Sequence, residues 1–125
     1  MPVSKGRLWA SYAMSGLPAL ALIASAGMKL AKVPAVQEGF AHLGWPASVV
    51  FGLGLVELAC TVLYLVPATS VLGAILLTGY LGGAIATHSR IGEPFIGPLV
   101  LGVLVWGGLY LRVPQLQALI PRLLR

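Results

Sequence analysis

Charge is scarce in this chain. Lys, Arg, Asp and Glu make up 9% of its 125 residues, where soluble domains carry nearer 25%. Acid is scarcer still, with 3 carboxylates against 8 Lys and Arg. Cysteine is nearly absent. Cys60 stands alone, which excludes an internal disulfide, a C-x-x-C redox pair and a thiolate metal cluster. There is no G-x-S-x-G, no H-E-x-x-H and no Walker loop. No βαβ unit is present to build a Rossmann site. His42 and His88 lack a fixed ligand spacing, so no metal is expected. The basic residues are scattered through loops and tails without a basic face, so no nucleic-acid partner is expected.

Apolar residues fill the space that charge leaves. They make up 58% of the chain. A chain this short cannot bury that much apolar surface within itself, so the lipid bilayer must cover the rest. Four apolar runs stand out, at about residues 9–28, 47–66, 71–87 and 95–111. Each is long enough to cross a bilayer as a helix. The lack of strict alternation argues against membrane strands. Residues 1–125 therefore read as one all-α domain, an integral membrane four-helix bundle.

The connections have their own chemistry. Pro67-Ala68-Thr69-Ser70 predicts a tight turn in which Thr69 or Ser70 caps the third span. Gly92 should end that span and Pro94 open the fourth. In the first loop, Pro34 can start a short helix that Gly44 stops. Val36, Phe40 and Leu43 share one of its faces, which suits a helix lying in the interface. The tail from Pro114 repeats the pattern, with Leu116, Leu119, Ile120 and Leu123 opposed by Arg122 and Arg125. Trp9, Trp45, Trp106 and Tyr110 sit near span ends and fit an aromatic belt.

Four spans put both termini on one side. Lys5, Arg7, Arg112, Arg122 and Arg125 share that side, against Lys29, Lys32 and Arg90 on the other. The bias predicts cytoplasmic termini, and a bacterial inner membrane is the expected location. Lys5, Arg7 and Ala24-Ser25-Ala26 imitate a secretory signal, but the apolar run is long for one and holds Pro18. It is expected to remain as the first span.

The polar exceptions carry the functional signal. Glu57 lies within the second span, about 15 Å deep. A carboxylate there costs about 2.5 kcal/mol or more on insertion scales. Thr61 and Tyr64 fall on its face, giving the span one polar stripe. Tyr80 reaches a matching depth on the third span, with Thr87 on nearly the same face. Lys29, His88 and Arg90 lie above them. Two readings remain open. Glu57 is either a neutral, hydrogen-bonded packing device or the centre of a proton or ligand site. Lys29 either snorkels to headgroups or bends inward. His88 either complements a helix dipole or joins the site. Gly79 and Gly83 form a G-x-x-x-G step expected to let helices approach closely.

Several stretches resemble the DoxX-like family of small membrane proteins. They are Ser25-Ala26-Gly27-Met28-Lys29-Leu30, Leu43-Gly44-Trp45-Pro46, Val56-Glu57-Leu58, Tyr64-Leu65-Val66-Pro67 and the third span from Leu72 to His88. The resemblance implies a four-helix bundle, with the family's lysine, glutamate and histidine positions at Lys29, Glu57 and His88. It also implies a tie to membrane redox chemistry, since the family name comes from a subunit associated with thiosulfate:quinone oxidoreduction. The chain is then expected to be an accessory component rather than an enzyme on its own. No cofactor is evident, and a quinone or lipid-like ligand would suit the pocket. Its partners would be a second copy or a larger membrane redox complex. Two other classes stay open, a transporter or binder of a small apolar or weakly acidic molecule, and a structural subunit. The catalytic residues, if any, are unknown. The pocket candidates are Glu57, Tyr80, His88, Lys29, Thr61, Tyr64, Thr87 and Arg90.

Overall fold

The structure, a computed structural model, describes residues 3–123, and side chains as far as residue 121. Arg122, Leu123 and Arg125 of the expected tail face therefore lie outside what is described. Six α-helices follow in order: α1 Lys5–Leu30, α2 Pro34–His42, α3 Ala47–Leu65, α4 Ser70–Arg90, α5 Ile96–Arg112 and α6 Pro114–Leu123. Among the described residues, three segments are long and apolar enough to span a bilayer, Lys5–Leu30, Ala47–Leu65 and Pro67–Arg90, and the bent pair of α5 and α6 would make a fourth. At 17 residues, α5 is at the short end of what spans.

Local chemistry sets the helix ends. Ser4 caps α1 by accepting from the Arg7 amide at 3.3 Å. α1 runs unbroken through Pro18, which is buried. Pro34 opens α2, and Gly44 turns the chain at φ +88°. Two turns differ from the expectation. The hairpin after α3 is a short 3₁₀ turn, Pro67–Thr69. Thr69 and Ser70 do not cap α4 but donate back to the carbonyls of Leu63 (2.7 Å) and Val66 (3.0 Å). They thereby satisfy the end of α3, whose last carbonyls would otherwise be orphans in an apolar setting. Gly92 does turn the chain at φ +73°, but α5 starts at Ile96 rather than at Pro94.

The four long helices form a ring in which α1 packs on α3, α3 on α4, α4 on α5 and α5 on α1. The buried positions of α1 run Ser11, Ser15, Pro18, Ala19, Leu22, Ala26 and Lys29, a single stripe at helical spacing. Small residues set the close approaches. A Cβ at Gly73 would lie 2.2 Å from the Tyr64 amide nitrogen, so α3 and α4 touch backbone to backbone there. The central core is Leu22, Tyr64, Ala74, Leu77, Leu81, Val105 and Leu109. α6 turns away from α5 by 108° at Val113. Such a bend suits a helix lying along the membrane surface.

Candidate functional site

α1 and α4 face each other across the ring without backbone contact among the described residues. Core side chains fill the gap at the end that carries the termini. Toward the other end, the gap becomes a cavity of 720 Å3. α2 and the loop after α4 edge its mouth through Phe40, His42 and Glu93. Most of the lining is apolar, including Leu22, Leu53, Leu81 and Leu101.

Glu57 and Lys29 form the polar part of the wall. Lys29 Nζ donates to Glu57 Oε1 at 2.8 Å and to Ser25 Oγ at 2.6 Å. Only 6% of Lys29 and 2% of Glu57 is exposed. The ammonium also lies 5.6 Å from the centre of the Phe40 ring and 6.0 Å from that of Tyr80. Two aromatic faces thus help replace the water it has lost. Lys29 bends inward because its position on the buried stripe of α1 faces Gly54, whose missing side chain lets the lysine stem pass. The snorkelling alternative is not taken. Glu57 accordingly pairs with Lys29, unlike the neutral, hydrogen-bonded packing device of one sequence reading. Charge pairing at this depth offsets desolvation that neither group could bear alone.

The other candidates divide into two groups. Tyr80, Thr87 and His88 line the cavity with Lys29 and Glu57. Tyr80 faces the carboxylate, but the bond of good geometry to Glu57 comes from Lys29. Thr87 spends its hydroxyl proton on the Gly83 carbonyl at 2.8 Å. His88 Nδ1 donates to the Ala84 carbonyl at 2.7 Å, which leaves Nε2 unused by the helix. Thr61, Tyr64 and Arg90 do not line the cavity. Thr61 donates to the backbone carbonyl of Glu57 at 2.8 Å. The Tyr64 hydroxyl donates to the Val105 carbonyl at 2.7 Å and meets Ser15 Oγ at 2.6 Å. Tyr64 is thus part of a separate polar knot in which Arg112 also donates to Ser11 and Ser15. The shared stripe on α3 misleads here. Three residues of one helix face at different heights meet different neighbours. Arg90 sits outside, donating to the Leu43 carbonyl.

Several residues of the site escape single-sequence reading. Ser25 precedes Lys29 by one turn and holds its ammonium, a spacing that was readable. Phe40 and Trp45 join the cavity wall although the pattern assigns them to an interfacial face and a belt. Trp106 donates from its indole to Thr78 Oγ1 at 2.7 Å. His42 and Glu93 pair at 2.8 Å across the mouth, 51 residues apart in sequence, and no local signal links them. Gly79 and Gly83 do not serve close helix packing. A Cβ on either would meet nothing within 4 Å, and both line the cavity.

The DoxX-like family model matches residues 13–108, and the chain belongs to that family. The match runs from within α1 to most of α5 and so includes Lys29, Glu57, Tyr80 and His88. No curated protein and no solved structure matches the chain.

Proposed function

We propose that this DoxX-like membrane protein is a binding component that holds the polar head of a small amphiphile beside Lys29 and Glu57. The observation that carries the reading is a buried ion pair facing a 720 Å3 cavity with mostly apolar walls. Ligand sites share that composition: a concave apolar surface, a few convergent polar groups and a volume of about 300–1,000 Å3. A packing device has no need of the empty space. The ammonium and the Tyr80 hydroxyl are donors, so the cavity suits a head that accepts hydrogen bonds, such as a quinone carbonyl. The family's tie to thiosulfate:quinone oxidoreduction makes quinones the class to try first. On this reading the chain is an accessory that holds such a molecule for a membrane redox partner. It sits in a bacterial inner membrane with both termini in the cytoplasm.

The test uses protein purified into lipid nanodiscs and a tail-less dimethoxy-methyl benzoquinone. Wild type should bind it saturably, and Lys29→Met and Glu57→Gln should lose that binding. Tyr64→Phe, which removes two hydrogen bonds outside the cavity, serves as the control and should keep it. Equal binding by all four proteins, or by none, defeats the reading.

A further inference from the structure

Glycines mark two different faces of α4. At Gly73 the α3 and α4 backbones touch, whereas Gly79 and Gly83 face empty space. These two glycines are exposed and also line the cavity. Their bare backbone is therefore a part of the wall that no side chain covers. α2 covers the adjoining part of the cavity, packing on α1 and α3 but, among the described residues, not on α4. The seam between α2 and α4 is bridged by side chains at its outer end. There Arg90 donates to the Leu43 carbonyl, and His42 meets Glu93 nearby. Gly83 lies about 10 Å below Arg90 along the helix. Gly79 and Gly83 lie about 14 and 20 Å from the start of α4 at Ser70. That is hydrocarbon depth, where an opening faces acyl chains rather than water.

We propose that the gap beside Gly79 and Gly83 is a lateral portal, and that the cavity's ligand is an amphiphile whose apolar tail lies in it. The inference rests on the binding reading above and adds the ligand's tail and its route. A tail resting across bare helix backbone stays in an apolar setting, so it loses nothing on entry. The head, once inside, exchanges lipid for the Lys29 and Glu57 groups. A water-soluble ligand has no route through an opening at this depth. The two glycines then set specificity, because any larger residue narrows the space for the tail.

The experiment compares two probes in nanodiscs, a decyl-substituted benzoquinone and the same head without a tail. The variants are Gly79→Leu and Gly83→Leu. Both project into open space, so thermal stability should match wild type. The leucines should weaken decyl-quinone binding about tenfold, the worth of roughly two displaced methylenes. Binding of the tail-less head should not change. Unchanged decyl-quinone binding overturns the portal and leaves the head site standing. Loss of both probes in a folded variant also overturns it, because the glycines then border the head site. If wild type binds neither probe, the binding reading falls and the portal with it. A variant that does not fold shows that the space is needed for packing, which equally rejects the portal.

Discussion

Lys29→Met leaves the Glu57 carboxylate, only 2% exposed, without a counter-charge. Removing one partner of a buried pair costs about 3–5 kcal/mol. The structure grades the two single variants. Lys29→Met also loses the bond to Ser25 and the contacts with the Phe40 and Tyr80 rings. Its loss should fall near about 4–5 kcal/mol. Glu57→Gln keeps an acceptor for Lys29, and the ammonium keeps Ser25 and both rings. The Thr61 bond survives as well, since it goes to the backbone. Its loss should be nearer about 3 kcal/mol. The double variant buries no charge and should lose only about 1–2 kcal/mol, less than either single. The assay is reversible unfolding in mixed micelles, titrated with SDS and followed by tryptophan fluorescence. Infrared difference spectra of wild type against Glu57→Gln supply a second reading. They should lack a protonated-carboxyl band at pH 7. Additive losses in the double variant, or a clear carboxyl band, refute the claim that these groups form a buried ion pair.

Three further outcomes follow from the packing and the charge pattern. Gly73→Ala should destabilise by about 1–3 kcal/mol because α3 and α4 must separate, while Gly79→Ala should change stability by less than about 0.5 kcal/mol; thermal unfolding of the two variants reads the difference. Tyr64→Phe should cost about 1–3 kcal/mol, since the buried Val105 carbonyl loses its hydroxyl donor; the same unfolding titration measures it. Reporter fusions after Arg125 and near Pro67 should signal the cytoplasm, and one near Gly92 the opposite side; exterior signal after Arg125 reverses the proposed orientation.

The sequence by itself determined the solvent, the elements and the depth of the key groups. Apolar runs too long for a soluble core demand lipid, and backbone groups in lipid demand helices. Pro34, Gly44 and Gly92 mark their turns because proline and positive φ restrict the chain locally. Glu57 is legible as a site because a carboxylate in such a run is costly wherever the helices go. The partners of these groups were decided by tertiary structure alone. Lys29 could equally have reached the headgroups; Gly54 across the interface made room for its stem. Tyr64 shares a face with Glu57 on paper, but the neighbours at its height are Ser15 and Val105. Gly79 and Gly83 carry a helix-packing pattern, yet their face of α4 is turned away from that of Gly73 and lies beside the cavity. His42 and Glu93 meet because the end of α2 and the loop after α4 arrive at one mouth. Periodicity specifies which face a residue occupies. It cannot specify what stands opposite at the same height, because that depends on how four helices cross.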